Sequence, residues 1–226
     1  MFDTQLSDFS NFDFDSVIFY NPESINHSET NESFKKIKIA VKNKDGSIGD
    51  LIFSTPSSLF SFGIQEIHDN QGRINGYIMP ISLWKKRQPT EEETEFQTVL
   101  QTLIDLSKEC VEHYVEQKID LKRFSPLSFR KTFEENNNKE ETKAPLLYTK
   151  LIYNKRDEKI NTIFIDEHTN AEISPLSILS KRCLVTGAIK IDSIFIGEKI
   201  TLQVKLYEAL INVIQKPQRL LLSHKK

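Results

Sequence analysis

Between Ala188 and Ala209 the chain reads AIKIDSIFIGEKITLQVKLYEA, two alternating runs on either side of a glycine. No other stretch restricts the fold as tightly. A period of two sends successive side chains to opposite faces of a strand, and Gly197 suits the first central position of a type II′ hairpin turn, where φ is positive and a Cβ would clash. A Gly197-Glu198 turn sets Ile196 opposite Lys199, Ile194 opposite Thr201, Asp192 opposite Gln203 and Lys190 opposite Lys205. Ile189, Ile191, Ser193, Phe195, Ile200, Leu202, Val204 and Leu206 then form a core face. Lys190, Lys199, Lys205 and Tyr207 share the polar face. Two lysines directly opposite one another are mildly unfavourable unless an anion lies between them.

Upstream, KKIKIAVK, GDLIFST and GYIMPISLW read as further strands separated by turn clusters. Pro89-Thr90-Glu91-Glu92-Glu93 is a helix start, with Thr90 as N-cap and Glu93 as its capping-box partner. Apolar residues at helical spacing from Phe96 to Val115 carry that helix over about 91–117, with an acidic outer face. FEENNNKEETKAP reads as a loop, about 133–144. PLLYTKLIY and NTIFID are strands again, and SPLSILS is a short apolar segment between them and the closing hairpin. The organisation expected is an acidic, phenylalanine-bearing segment over 1–32, a single β domain over 33–215, and a basic tail over 216–226. Many short strands with one long helix indicate a mainly β fold of the α+β kind: an oligonucleotide-binding (OB) type β-barrel elaborated by extra strands and one long acidic helix. A jelly-roll sandwich fits the element count almost as well, and pattern alone does not separate them.

Charge is segregated. Residues 1–32 hold seven acids and no lysine or arginine, and residues 91–117 hold eight acids and one lysine, so the rest of the chain carries a net +12. Such a footprint suits a polyanionic partner or an ordinary solvated surface. No phosphate-cradling glycine motif, HExxH or paired-carboxylate arrangement marks an active site, and the five histidines never fall at metal-ligand spacing. An enzyme, a metal site and a cofactor are not expected. Cys110 and Cys183 lack CxxC spacing and read as buried apolar residues. The chain lacks any run of about 18 apolar residues, so no membrane span is expected, and the acidic N-terminus is unlike a signal peptide. Binding features are better represented: Trp84 precedes Lys85, Lys86 and Arg87, Tyr148 and Lys150 share a strand face, and Lys190, Lys199, Lys205 and Tyr207 share another. Each group sets an aromatic beside cations, the combination that stacks bases and tracks a phosphate backbone.

The segments PLLYTKL, IFIG and LQVKLYEA, in this order, resemble a family of single-stranded DNA-binding proteins encoded by nucleocytoplasmic large DNA viruses, distantly similar to a podophage protein of the same activity. The resemblance is good over the last third of the chain and looser over FGIQE to GYIMPISLW and the acidic helix. It implies an OB-fold, non-sequence-specific binding of single-stranded DNA in viral replication, recombination and repair, and viral replication proteins as further partners. It also implies residence in the host cytoplasm at viral factories or in the host nucleus, or packaging in the virion. The chain ends LLLSHKK, where the phage relatives carry an acidic tail. Under this reading the anion between Lys190 and Lys205 is a phosphate. The alternative is a virion structural or protein-interaction module without nucleic-acid binding.

Overall fold

The computed structural model describes residues 5–26, 33–85, 88–114, 121, 124–134 and 139–214. The first strands in chain order are β1 (Leu6–Ser7), β2 (Val17–Phe19), β3 (Glu23–Asn26), β4 (Ser33–Lys42), β5 (Ile48–Gly49), β6 (Ile52–Ser54), β7 (Leu59–Ser61), β8 (Gln65–His68) and β9 (Ile74–Ser82). The helix α1 (Glu91–Tyr114) precedes β10 (Leu127–Glu134), β11 (Lys139–Leu151), β12 (Tyr153–Asn154), β13 (Lys159–Ile160), β14 (Ile163–Asp166), β15 (Cys183–Ile196) and β16 (Ile200–Val213). The SPLSILS segment forms a 3-10 turn at Pro175–Ile178.

All but β12 and β13 join one mixed sheet built around β15. One edge of β15 pairs with β16 along its length. Its other edge takes three partners in succession: β7 at Cys183–Val185, β6 at Ala188–Lys190 and β4 at Ser193–Ile196. The far edge of β16 takes β11 at Lys205 and Leu206 and then β14, both parallel. Because β11 pairs with β9 and β9 touches β7 at Ser61↔Ile81, the pairings return to β15 as a partial ring.

The ring's inner residues, among them Met79, Ile81, Leu147, Ile189, Ile191, Leu202 and Leu206, share one apolar core with Ile37 of β4 and the buried face of α1, Phe96, Leu100, Leu103, Ile104 and Val111. The capping box forms as the sequence predicts: the Thr90 backbone N–H donates to Glu93 Oε2 at 2.7 Å and the Glu93 N–H to Thr90 Oγ1 at 3.2 Å. Residues 115–117 lie outside the described part. Cys183 is fully buried, and burial pushes its thiol up to about 11.

Two expectations are corrected. The 133–144 loop is largely strand: β10 and β11 pair from Leu127↔Leu147 out to Glu134↔Lys139, and only 135–138 lie outside the description. In the closing hairpin the tip is a three-residue loop, Gly197 to Lys199, with Ile196 opposite Ile200. Gly197 is not among the glycines with positive φ. The Lys190↔Lys205 pairing nevertheless holds, because a bulge at Asp192 and Ser193 absorbs the extra residue. The bulge also swaps faces. Ile194, expected outside, is buried opposite Leu202, and Phe195, expected in the core, emerges on the outer face opposite Thr201.

The N-terminal segment packs down rather than trailing. Phe9 meets Phe96 edge-on at 5.3 Å between ring centroids, and Phe12 meets Phe53 at 4.9 Å. β1 adds to β6 in parallel.

Candidate nucleic-acid interface

The outer face of β4, β15, β16 and β11 is built from residues that alternate against the core positions. Register sets Lys36 opposite Phe195 across β4 and β15, and Lys190, Lys205 and Lys150 side by side across β15, β16 and β11. A row of three lysines on adjacent strands would repel without compensation.

Compensation comes from inside the chain. Asp192, turned to the outer face by its bulge, has a side chain only 9% exposed and takes Lys205 Nζ on Oδ2 at 3.0 Å, Lys36 Nζ on the same oxygen at 3.5 Å, and Lys190 Nζ on Oδ1 at 3.3 Å. Lys190 also pairs with Asp50 at 2.8 Å. Burial alone would raise the Asp192 pKa, but the Lys205, Lys36 and Lys190 ammoniums outweigh it and hold the carboxyl at about 2. Burial likewise disfavours the Lys190 cation, and its bonds to Asp50 and Asp192 overcome that and raise its pKa. The anion between Lys190 and Lys205 is therefore a carboxylate of the protein and not a phosphate.

Lys150 differs. Among the described residues no carboxylate pairs with it. Partial loss of hydration, with Lys205 and Lys155 nearby, pushes its ammonium below the usual lysine range although the side chain keeps contact with solvent. It lines an open hollow of about 800 Å³ together with Phe34, Asn70, Phe195, Gly197, Glu198, Lys199, Thr201 and Gln203. Phe34 and Phe195 pack with ring centroids 4.6 Å apart at 39°. Gly197 makes room for this: a Cβ there would sit 2.8 Å from the Phe195 ring. The Gln203 side-chain amide donates to Thr201 Oγ1 at 2.5 Å, fixing the amide along the floor.

The residues expected to bind scatter over three situations. Lys150 and Lys199 meet in the hollow, and Tyr148, 38% exposed, stands two residues along β11 from Lys150. Lys190 and Lys205 belong to the Asp192 cluster, while Tyr207 sits partly exposed at a second bulge in β16. Trp84 corrects the expectation of a stacking platform. It is 8% exposed and belongs to the core just beyond β9, where its carbonyl accepts from Ser82 Oγ. Lys85 beside it is exposed, and Lys86 and Arg87 lie outside the described residues.

Phe34, Lys36, Asp192 and Phe195 were missed by the sequence reading. A signal for Asp192 and Phe195 exists in KIDSIFI, where two successive small polar residues interrupt the alternation. Skipping one residue there brings Ile189, Ile191, Ile194 and Ile196 onto the core side. Among the described residues no helix is long and apolar enough to cross a membrane.

Over 181 residues the chain is 28% identical to Uncharacterized protein 007R of Invertebrate iridescent virus 3; the match takes in 76% of this chain and 39% of the viral protein, so the chain spans about two fifths of that relative's length. The partially ringed, mainly β chain that carries this outer face is matched over residues 11–225 by the model of the protein family of unknown function DUF2738, and it belongs to that family.

Proposed function

We propose that this chain binds single-stranded DNA without sequence specificity, in the replication, recombination or repair of a large DNA virus. The observation that carries the reading is the hollow in which the Phe34–Phe195 pair lies beside Lys150 and Lys199. Aromatic rings accept any base on their π-faces, and cations beside them follow the backbone. Lys150, exposed and without a carboxylate partner among the described residues, can take a phosphate oxygen. The ring supports an OB-type barrel as its frame. Its five members, β7, β9, β11, β15 and β16, run in the order first, second, third, fifth, fourth around the circuit, with the third and fifth parallel. The helix and the added strands β1 to β6, β8, β10 and β14 are elaborations on that frame.

The test is a titration of mixed-sequence single-stranded oligonucleotide against the full chain over a salt series, with duplex DNA and RNA alongside. The logarithm of affinity for the single strand falls linearly with the logarithm of salt. Phe195→Ala costs about 1 to 3 kcal/mol whatever the base composition. Absence of salt-dependent binding to the single strand sinks the reading and favours a protein-interaction module.

A further inference from the structure

The Asp192 cluster has an outward side. Lys36 and Lys205 come from different strands, β4 and β16, yet both reach Oδ2 of Asp192, at 3.5 and 3.0 Å. Their ammoniums can therefore be no further apart than those two distances laid end to end. Both side chains remain about a third exposed, at 35% and 33%, whereas Lys190 beneath them is 16% exposed and held on its other side by Asp50. An ammonium has three N–H donors. Asp192 holds both ammoniums close to one carboxylate oxygen and leaves each with N–H donors to spare. The three lysines outnumber the two aspartates that hold them by one charge, and Glu23, the register partner of Lys36 on β3, lies on the same face without forming an ion pair with it.

We propose that Lys36 and Lys205 form a two-pronged clamp for a single phosphodiester, with Asp192 as its positioning residue, and that the clamp sets the phosphate next to the base stacked at Phe195. Lys36 is the register partner of Phe195 on the same outer face, which places the clamp beside the aromatic pair. A phosphate presents oxygens in several directions and is bridged by two cations at this spacing without displacing Asp192 from between them. Holding the prongs in advance removes the ordering cost that two free lysine side chains would incur on binding. The clamp rests on the proposed single-strand reading and names the contact it makes.

The experiment compares wild type, Lys36→Gln, Lys205→Gln and the double variant on a thymidine homo-oligonucleotide across a salt series, with thermal melts to verify folding. One shared phosphate predicts that the double variant loses about 0.7 in salt slope, and that the single-variant losses do not sum beyond it. A loss near 1.4, as for two independent phosphate contacts, overturns the clamp. So does an undiminished slope in the double variant while wild type binds. Lys36 is the more exposed prong, so if Lys205→Gln does not fold, Lys36→Gln alone decides: an unchanged slope and affinity overturn the clamp, and a reduced slope supports it. Failure of wild type to bind the oligonucleotide overturns the underlying reading together with the clamp.

Discussion

Asp192 decides what the outer face can do, because one carboxylate serves three ammoniums. Asp192→Asn keeps the shape and removes the charge, leaving Lys36 and Lys205 without their counter-ion. Breaking a buried pair costs about 3 to 5 kcal/mol, and since two of the lysines are a third exposed, about 2 to 3 kcal/mol is expected in urea unfolding. Lys205→Ala lowers stability too, whereas two uncompensated facing lysines would have made it a gain. The pH dependence follows from the depressed pKa. Asp192 contributes stability that is fully present above its ordinary 3.8 and is lost as pH falls through about 2, an interval worth about 2 kcal/mol. Asp192→Asn should flatten the acid limb of the stability curve there; an unchanged limb would remove Asp192 from the account. Trp84 belongs to the opposite case. With its ring in the core, Trp84→Ala should cost about 3 to 5 kcal/mol of stability, and oligonucleotide affinity measured on the folded fraction should not move.

Elements differ in how plainly the sequence announces them. The helix α1 is legible from Thr90, Glu93 and the spacing of Phe96, Leu100, Leu103 and Ile104, because a cap and a period are local properties. β15 is legible as a strand, but its faces are not. A bulge of one residue inverts every side chain beyond it, and that inversion carried Phe195 from the expected core to the hollow. The succession of β7, β6 and β4 along β15 is also hidden, since nothing local in residues 183–196 names partners more than a hundred residues away. The stretch expected as a loop misled for another reason: Phe133 and Glu134 end β10, and residues from Lys139 on pair back onto it in β11, so a polar composition alone does not make a loop. The hairpin tip offers a test at this scale. Gly197→Ala puts a Cβ within 2.8 Å of the Phe195 ring, so the ring must shift and its packing on Phe34 is disturbed. Single-strand affinity should fall several-fold while the melting temperature changes by only a few degrees. Unchanged affinity would show that the aromatic pair is not a stacking surface.

Across the whole molecule, the acidic N-terminal segment meets β4 at both ends: β3 pairs with it at Glu23↔Lys36, while the aspartates that precede β2 lie at the other end, apart from the basic outer face. Asp8, Asp13 and Asp15 line a hollow with Lys42, Asn43 and Lys44, at the end of β4 away from Phe34 and Lys36. Six residues of strand separate Lys36 from Lys42, roughly 20 Å at about 3.3 Å per residue. Seven acids and several phenylalanines could imitate a single strand and compete for the lysines, but Phe9 and Phe12 are already spent on Phe96 and Phe53. Each such aromatic pair contributes about 0.5 to 1.5 kcal/mol beyond the area it buries. Deleting residues 1–13 removes both contacts and the β1–β6 pairing, so a loss of about 3 kcal/mol is expected, seen as a fall of roughly 6 to 12 °C in melting temperature for a chain of this size. Affinity for single strands, measured well below that temperature, should match the full chain at every salt concentration. A truncated chain that binds more tightly at low salt, with the advantage fading as screening grows, would instead place the segment across the basic face in solution and overturn the packing account.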